Sequence, residues 1–190
     1  MKFAIGKRAA VIGVGNVMLD ITHWLLEERG VAEVIAVARR GPAEVKFEKK
    51  ELEYVVRYLD MPGLEAELER VTPEMTRLHQ DPEEMRAMIR GMLERAPAAR
   101  SDNHFRLEFL ASPVRILGDA DGRVRGLQVE ETSLVRKENG ETTAWGTGKH
   151  HTLAVDTVIF AIGDKVDAGL GLPVGGIEFV KNPAPRFPQE

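Results

Sequence analysis

Cysteine is absent from this chain of 190 residues. That gap removes disulfides, thiolate zinc sites, CxxC redox pairs and cysteine nucleophiles together, so any redox chemistry has to run through a bound cofactor. No apolar stretch approaches the roughly 20 residues of a membrane span and no secretory leader is visible, which predicts a cytoplasmic protein with no membrane partner. An excess of positive charge is also missing. The 26 Lys and Arg stand against 30 Asp and Glu, for a net charge of -4, and this argues against a nucleic-acid partner. The length suits one domain, or one with a small appendage, and excludes two full catalytic domains.

What is present reads as α/β. Lys7 to Gly13 is a short apolar run closed by glycine, as a buried parallel strand would be. From Asn16 to Arg29 the residues Val17, Ile21, Trp24 and Leu25 fall on one helical face, with Gly30 as the stop. Val34–Ala38 is apolar again, and strand, helix and strand over about 30 residues make a right-handed crossover with a parallel sheet. Leu52, Val55, Val56 and Leu59 predict a second helix that ends at Met61-Pro62-Gly63. Thr72-Pro73-Glu74 and Asp81-Pro82-Glu83-Glu84 each place a capping side chain before proline, so helices are expected to start there, within a helical insertion over about 72–96. Met85, Met88, Ile89, Met92 and Leu93 form a stripe read as core, with the alternative of a face that another domain covers.

Beyond Asn103 the texture becomes extended. Phe105, Leu107 and Phe109 alternate with charges, a turn follows at 118–122, and Asn139-Gly140 marks another, which together predict an antiparallel β-meander over about 105–153. Val155 to Gly163 is dense in branched residues, as a central parallel strand would be. The expected architecture is a Rossmann-like parallel sheet with flanking helices over 1–173, followed by a loop or tail over 174–190.

The chemistry centres on Gly13-Val14-Gly15-Asn16-Val17, between the first strand and the first helix. Gly13 permits the tight turn. Gly15 has no side chain, so a pyrophosphate can approach the backbone amides at the positive end of the helix dipole. An NAD site presents an acid to the ribose at the end of the second strand; here Arg39 and Arg40 stand there instead. Guanidinium groups grip phosphate bidentately, so at that position the pair selects the 2′-phosphate of NADP over a bare ribose, whereas elsewhere it would read as a solvated surface pair. Lys46, Lys49, Lys50 and Arg57 are read as a solvated helix face, with steering of an acidic partner as the sharper alternative. The five histidines show no metal-ligand spacing, so no metal is expected, and GxSxG, GxxxxGK[ST] and a Tyr-x-x-x-Lys pair are all missing.

Gly15 to Asp20, Ala38 to Pro42 with Phe47 and Glu51 beyond, Phe109 to Pro113, and Asp156 to Gly163 resemble adrenodoxin reductase and its bacterial ferredoxin–NADP reductase relatives. These are flavoproteins with one dinucleotide-binding domain for FAD and one for NADP. The likeness runs to about Pro173 and is to the NADP half. It implies that Val14, Gly15, Asn16 and Val17 hold the pyrophosphate and that Arg39 and Arg40 hold the 2′-phosphate. It further implies that Glu51 meets the ribose or adenine side, and that Asp20 lies toward the nicotinamide, the candidate catalytic position. The chain departs from the family pattern at Met18, where Ala is usual, and at Asp164. It carries no second GxGxxG for FAD, so the resemblance implies an NADP-binding module with no turnover by itself. Its partners would be an FAD-binding domain and a ferredoxin-like carrier. Two other expectations stay open: a glutamate-synthase small-subunit-like NADPH-binding domain, and a non-enzymatic NADP sensor.

Overall fold

A computed structural model describes residues 4–163, 167–176 and 178–180. Four parallel strands form the central sheet in the order β3-β2-β1-β7: β1 (Arg8–Ile12), β2 (Glu33–Val37), β3 (His104–Glu108) and β7 (Thr157–Phe160). On one face lie α1 (Asn16–His23), α3 (Met61–Arg77) and α4 (Pro82–Leu93), with the single turn α2 (Lys49–Leu52). On the other lies an antiparallel sheet of β4 (Ala111–Gly118), β5 (Val124–Arg136) and β6 (Thr142–Leu153).

The side-chain period of two explains why β1 and β2 read as unbroken apolar runs. Ala9, Val11, Val34 and Ala36 face the helices and join the larger core, while Ala10, Ile12, Ile35 and Val37 pack against Leu127, Val129 and Leu153 of the antiparallel sheet. Both faces are dry, so neither can be polar.

The buried face of α1 differs from the expected one. Met18, Leu19, Thr22, Leu25 and Leu26 are buried, and Val17 and Trp24 are exposed. Both stripes obey helical spacing; the geometry of the preceding glycine turn chooses between them by fixing which way the first turn faces. The helix continues as a wider turn over Trp24–Glu28, where the Arg29 guanidinium lies 5.4 Å from the Trp24 ring. Gly30 then ends it at φ +61°.

The second helix is also different. After α2 the chain makes a 3-10 turn at Val56–Tyr58, and Met61-Pro62-Gly63 opens α3 instead of ending a helix. Asp60 is the cap, accepting from the Gly63 amide at 3.1 Å. The start expected at Thr72 falls inside α3, because Leu64, Leu68, Val71 and Met75 recur at 4, 3 and 4 residues and are all buried. Proline 73 is tolerated because the Glu69 carbonyl, which loses its helical donor, belongs to an exposed residue. The Asp81 cap and α4 form as expected, with Asp81 accepting from the Glu83 amide at 2.9 Å. Met85, Ile89 and Met92 are core residues, which removes the reading of that stripe as a bare domain face.

Two strand assignments are corrected. β3, expected to open the meander, is instead an edge of the parallel sheet, with Phe105 and Leu107 in the helix-side core. Its alternation suits either kind of half-covered strand. β7, expected to be central, is the other edge among the described residues, with Phe160 57% exposed. The tail over 174–190 was expected to be loop, but its described part holds the hairpin β8 (Val174–Gly175) and β9 (Glu178–Phe179), which follows a 3-10 turn at Ala168–Leu170. Asp164 and residues 181–190 lie outside the described residues.

Charged side chains anchor α3 to the sheets. Buried Glu67 accepts from the Phe109 amide at 2.6 Å and from both Nε and Nη2 of Arg70, whose Nη2 also donates to the Phe109 carbonyl. Glu74 accepts from Arg77, from the Ser133 hydroxyl and from the Leu134 amide, and these bonds, Arg77 foremost, hold its pKa down at about 2 against a burial effect of opposite sign. A depressed carboxylate pKa stabilises the fold above the unfolded value near 4.5, and that stability is lost as pH falls toward 2. Acid titration of stability should therefore be shallower between pH 4.5 and 2 in Glu74→Gln than in the unaltered chain, as read by urea midpoints. Glu67→Ala should lower stability by about 1–3 kcal/mol, since it leaves the Phe109 amide and Arg70 without their acceptor.

Candidate functional site

The carboxyl ends of β1, β2 and β7 open into a cleft of about 710 Å³. Its floor is the turn Ile12–Val17; its walls are Val37–Arg40, Phe160–Gly163, Glu44, Lys46 and Ser112-Pro113. A ligand site in an open α/β sheet is expected at this position.

The two glycines of the turn have different duties. Gly13 sits at φ +132°, its amide donates to the Val37 carbonyl at 3.0 Å, and a Cβ there would stand 2.3 Å from the Ala161 carbonyl oxygen. It is required by the fold. Gly15 is extended (φ -112°), and a Cβ on it would meet nothing within 4 Å. The protein therefore has room for a side chain at Gly15 and leaves that room to the cleft. No side chain caps α1 and no acidic residue lies in its first turn, so the positive end of the helix dipole is uncompensated.

Arg39 and Arg40 follow β2 on a segment that is bonded on every side. The Ala38 amide donates to the Glu108 carbonyl (2.8 Å), and the Ala38 carbonyl accepts from the Ala111 amide (2.9 Å). The Arg40 carbonyl accepts from the Leu110 amide (3.2 Å), and the Arg39 carbonyl from the Thr132 hydroxyl (2.7 Å). The carbonyls of this segment and the Ala38 amide are thus consumed in fixing position, and both side chains are left for the cleft. Neither guanidinium forms an ion pair among the described residues.

The structure therefore brings together seven of the nine expected residues: Gly13, Val14, Gly15, Asn16, Val17, Arg39 and Arg40. Asp20 is exposed on α1 and Glu51 is half-buried on α2, and neither lines the cleft. The Asn16 side chain has a second task, since its Oδ1 accepts from the Glu48 amide at 2.7 Å. Arg57, expected from the sequence to be a solvated or steering cation, caps the end of α4 through the Leu93 and Ala96 carbonyls. His151 pairs with Glu108 at 2.9 Å and His23 with Glu27 at 3.4 Å. Among the described residues no three potential metal ligands gather.

Sequence reasoning missed the walls contributed by Glu44, Lys46 and Ser112-Pro113. The segment after Gly41-Pro42 folds back over the glycine turn, with the Lys46 amide donating to the Val14 carbonyl at 3.0 Å. No residue pattern announces that return. A second cavity of about 740 Å³ adjoins the first and shares Arg39, Arg40, Glu44 and Lys46 with it, and the β5–β6 hairpin forms its far side.

Substitution should separate the duties of the two glycines. Gly13→Ala should cost about 2 kcal/mol or more in urea unfolding, through both strain and collision with Ala161. Gly15→Ala should stay within about 0.5 kcal/mol of the unaltered chain.

No protein-family model matches the chain. Over 92% of its length it is 29% identical to NADPH-ferredoxin reductase FprA of Mycobacterium leprae, and over 90% it is 29% identical to the mitochondrial NADPH:adrenodoxin oxidoreductase of Arabidopsis thaliana. The fold is similar to that of FprA from Mycobacterium tuberculosis solved in complex with NADPH, with a TM-score of 0.65 and 27% identity over 90% of this chain and 42% of that one. The chain spans about two fifths of the length of the curated relatives it matches. By sequence and by fold, the chain is similar to part of the NADPH-ferredoxin reductase FprA and of the NADPH:adrenodoxin oxidoreductases.

Proposed function

We propose that this chain binds NADP(H) and, as part of a larger flavoprotein, presents it to FAD, so that electrons pass from NADPH through the flavin to ferredoxin or a similar carrier. The observation that carries the binding step is the meeting in one cleft of an amide turn left open at Gly15 and two guanidinium groups without carboxylate partners among the described residues. The turn and helix dipole suit a pyrophosphate, which is divalent and compact. The arginines suit an exposed phosphate monoester on the adenosine ribose. The names of FprA and the adrenodoxin oxidoreductases support the direction of electron flow.

Flavin, when bound in such a protein, supplies the acceptor of the hydride and releases its two electrons singly. The contribution of this chain is to hold and orient. Gly13 to Val17 fix the pyrophosphate, and Arg39 and Arg40 fix the adenosine end. The cleft runs on to Phe160–Gly163, where the nicotinamide would emerge toward its acceptor. The described residues offer no second glycine turn of this form for FAD, so the acceptor site belongs to a separate FAD-binding domain. The segment after Pro173 is the proposed lead toward that domain; the roles expected of Asp20 beside the nicotinamide and Glu51 beside the ribose gain no support from the cleft, which neither residue lines. The reading goes with a cytoplasmic setting; no helix among the described residues is long and apolar enough to cross a membrane.

Calorimetric titration tests the proposal. NADPH should bind more tightly than NADH, FAD should not bind stoichiometrically, and Arg39→Glu should weaken NADPH by ten- to a hundredfold, given about 1.5–3 kcal/mol for each charge-assisted bond. Tighter NADH than NADPH, or one FAD per chain, would overturn it.

A further inference from the structure

Lys46 is the cation that the established pattern of the cleft does not use. It lines both cavities, and the wall they share consists of Arg39, Arg40, Glu44 and Lys46. Its backbone is fixed on the glycine turn: its amide donates to the Val14 carbonyl at 3.0 Å, it forms a parallel bridge with Gly15, and two residues on the Glu48 amide donates to Asn16 Oδ1 at 2.7 Å. Its ammonium forms no ion pair among the described residues. Glu44, the acid on the same shared wall, is occupied elsewhere, because its carboxylate accepts from the Gly41 amide (3.0 Å), Gln80 Nε2 (2.7 Å) and the Thr142 hydroxyl (3.1 Å).

We propose that Lys46 is a third ligand of the ribose 2′-phosphate, completing with Arg39 and Arg40 a three-cation cage that sets the preference for the phosphorylated dinucleotide. The assignment rests on the NADP(H) reading above. Its physical basis is division of labour. Two guanidinium forks leaving β2 approach a phosphate from one side, in fixed planes, whereas an ammonium on a flexible stem is a point charge that can close the opposite side. The chain anchors the Lys46 backbone to the turn that would hold the pyrophosphate, so the base of its stem keeps a fixed place beside that turn.

The test is titration of 2′,5′-ADP, NADPH and NADH into the unaltered chain, Lys46→Met and Lys46→Arg, at low and at moderate salt. Lys46→Met should weaken 2′,5′-ADP and NADPH about tenfold, leave NADH within about twofold, and reduce the salt dependence of NADPH binding; Lys46→Arg should recover most of the loss. Thermal unfolding of the variants should be unchanged, since the side chain is exposed. NADPH binding that survives Lys46→Met at full strength overturns the assignment alone. Equal losses for NADPH and NADH overturn it too, by moving the lysine to the pyrophosphate. An unaltered chain that binds neither dinucleotide overturns the underlying reading and the assignment with it.

Discussion

The positions of the two arginines depend on a crossing of three strands. At Ala38–Arg40 the end of β2 bonds to Glu108 and to Leu110–Ala111, and Thr132 of β5 closes the junction through the Arg39 and Leu110 carbonyls. At this crossing the parallel and antiparallel sheets are joined by main-chain bonds as well as by apolar packing. Leu110 holds φ at +48° to make the corner, and Glu67 with Arg70 brace the adjoining Phe109 from α3. A buried carboxylate is costly unless its charge and lone pairs are met, and here a guanidinium and an amide meet them. The brace lies behind the cleft, so the arginines are held without their own side chains being used.

The layered core has a related effect. Because β1 is covered on both faces, its carboxyl end cannot shift toward either layer without opening a cavity, and large-to-small changes in such a core cost several kcal/mol. The glycine turn inherits that rigidity from Ile12 and Ala161, which bracket Gly13. Preorganised amides lose little entropy on meeting a phosphate, so the stiffness of the sheet bears directly on how the turn can bind.

Much of this was legible in the residues. The strand–glycine turn–helix unit, the arginines after β2 and the Asp81 cap follow from local rules that the fold obeys. The errors have one trait in common, which is that the deciding contact lay outside the stretch being read. Thr72-Pro73-Glu74 is a good helix start, yet Leu68, Val71 and Met75 had to stay on one continuous face. The stripe through Val17, Ile21 and Trp24 was as regular as the true one through Met18, Leu19 and Thr22, and only the orientation of the preceding turn could choose. Phe105 and Leu107 alternate as a half-covered strand does, and alternation does not say whether the neighbour runs parallel or antiparallel. The return of Lys46 over Val14 depends on contacts between segments, and no single stretch of sequence encodes it.

One edge of the central sheet has a cost of its own. β7 presents Phe160 to solvent, as the segment just after it does Ile162, and on its outer side no strand among the described residues takes up its amides and carbonyls. Natural sheets blunt such margins with charge, proline or a bulge, and Thr157-Val158-Ile159-Phe160 has none of these. At high concentration the margin is a ready template for strangers in extended conformation, so the same strand end that borders the glycine-turn cleft is also an edge open to pairing.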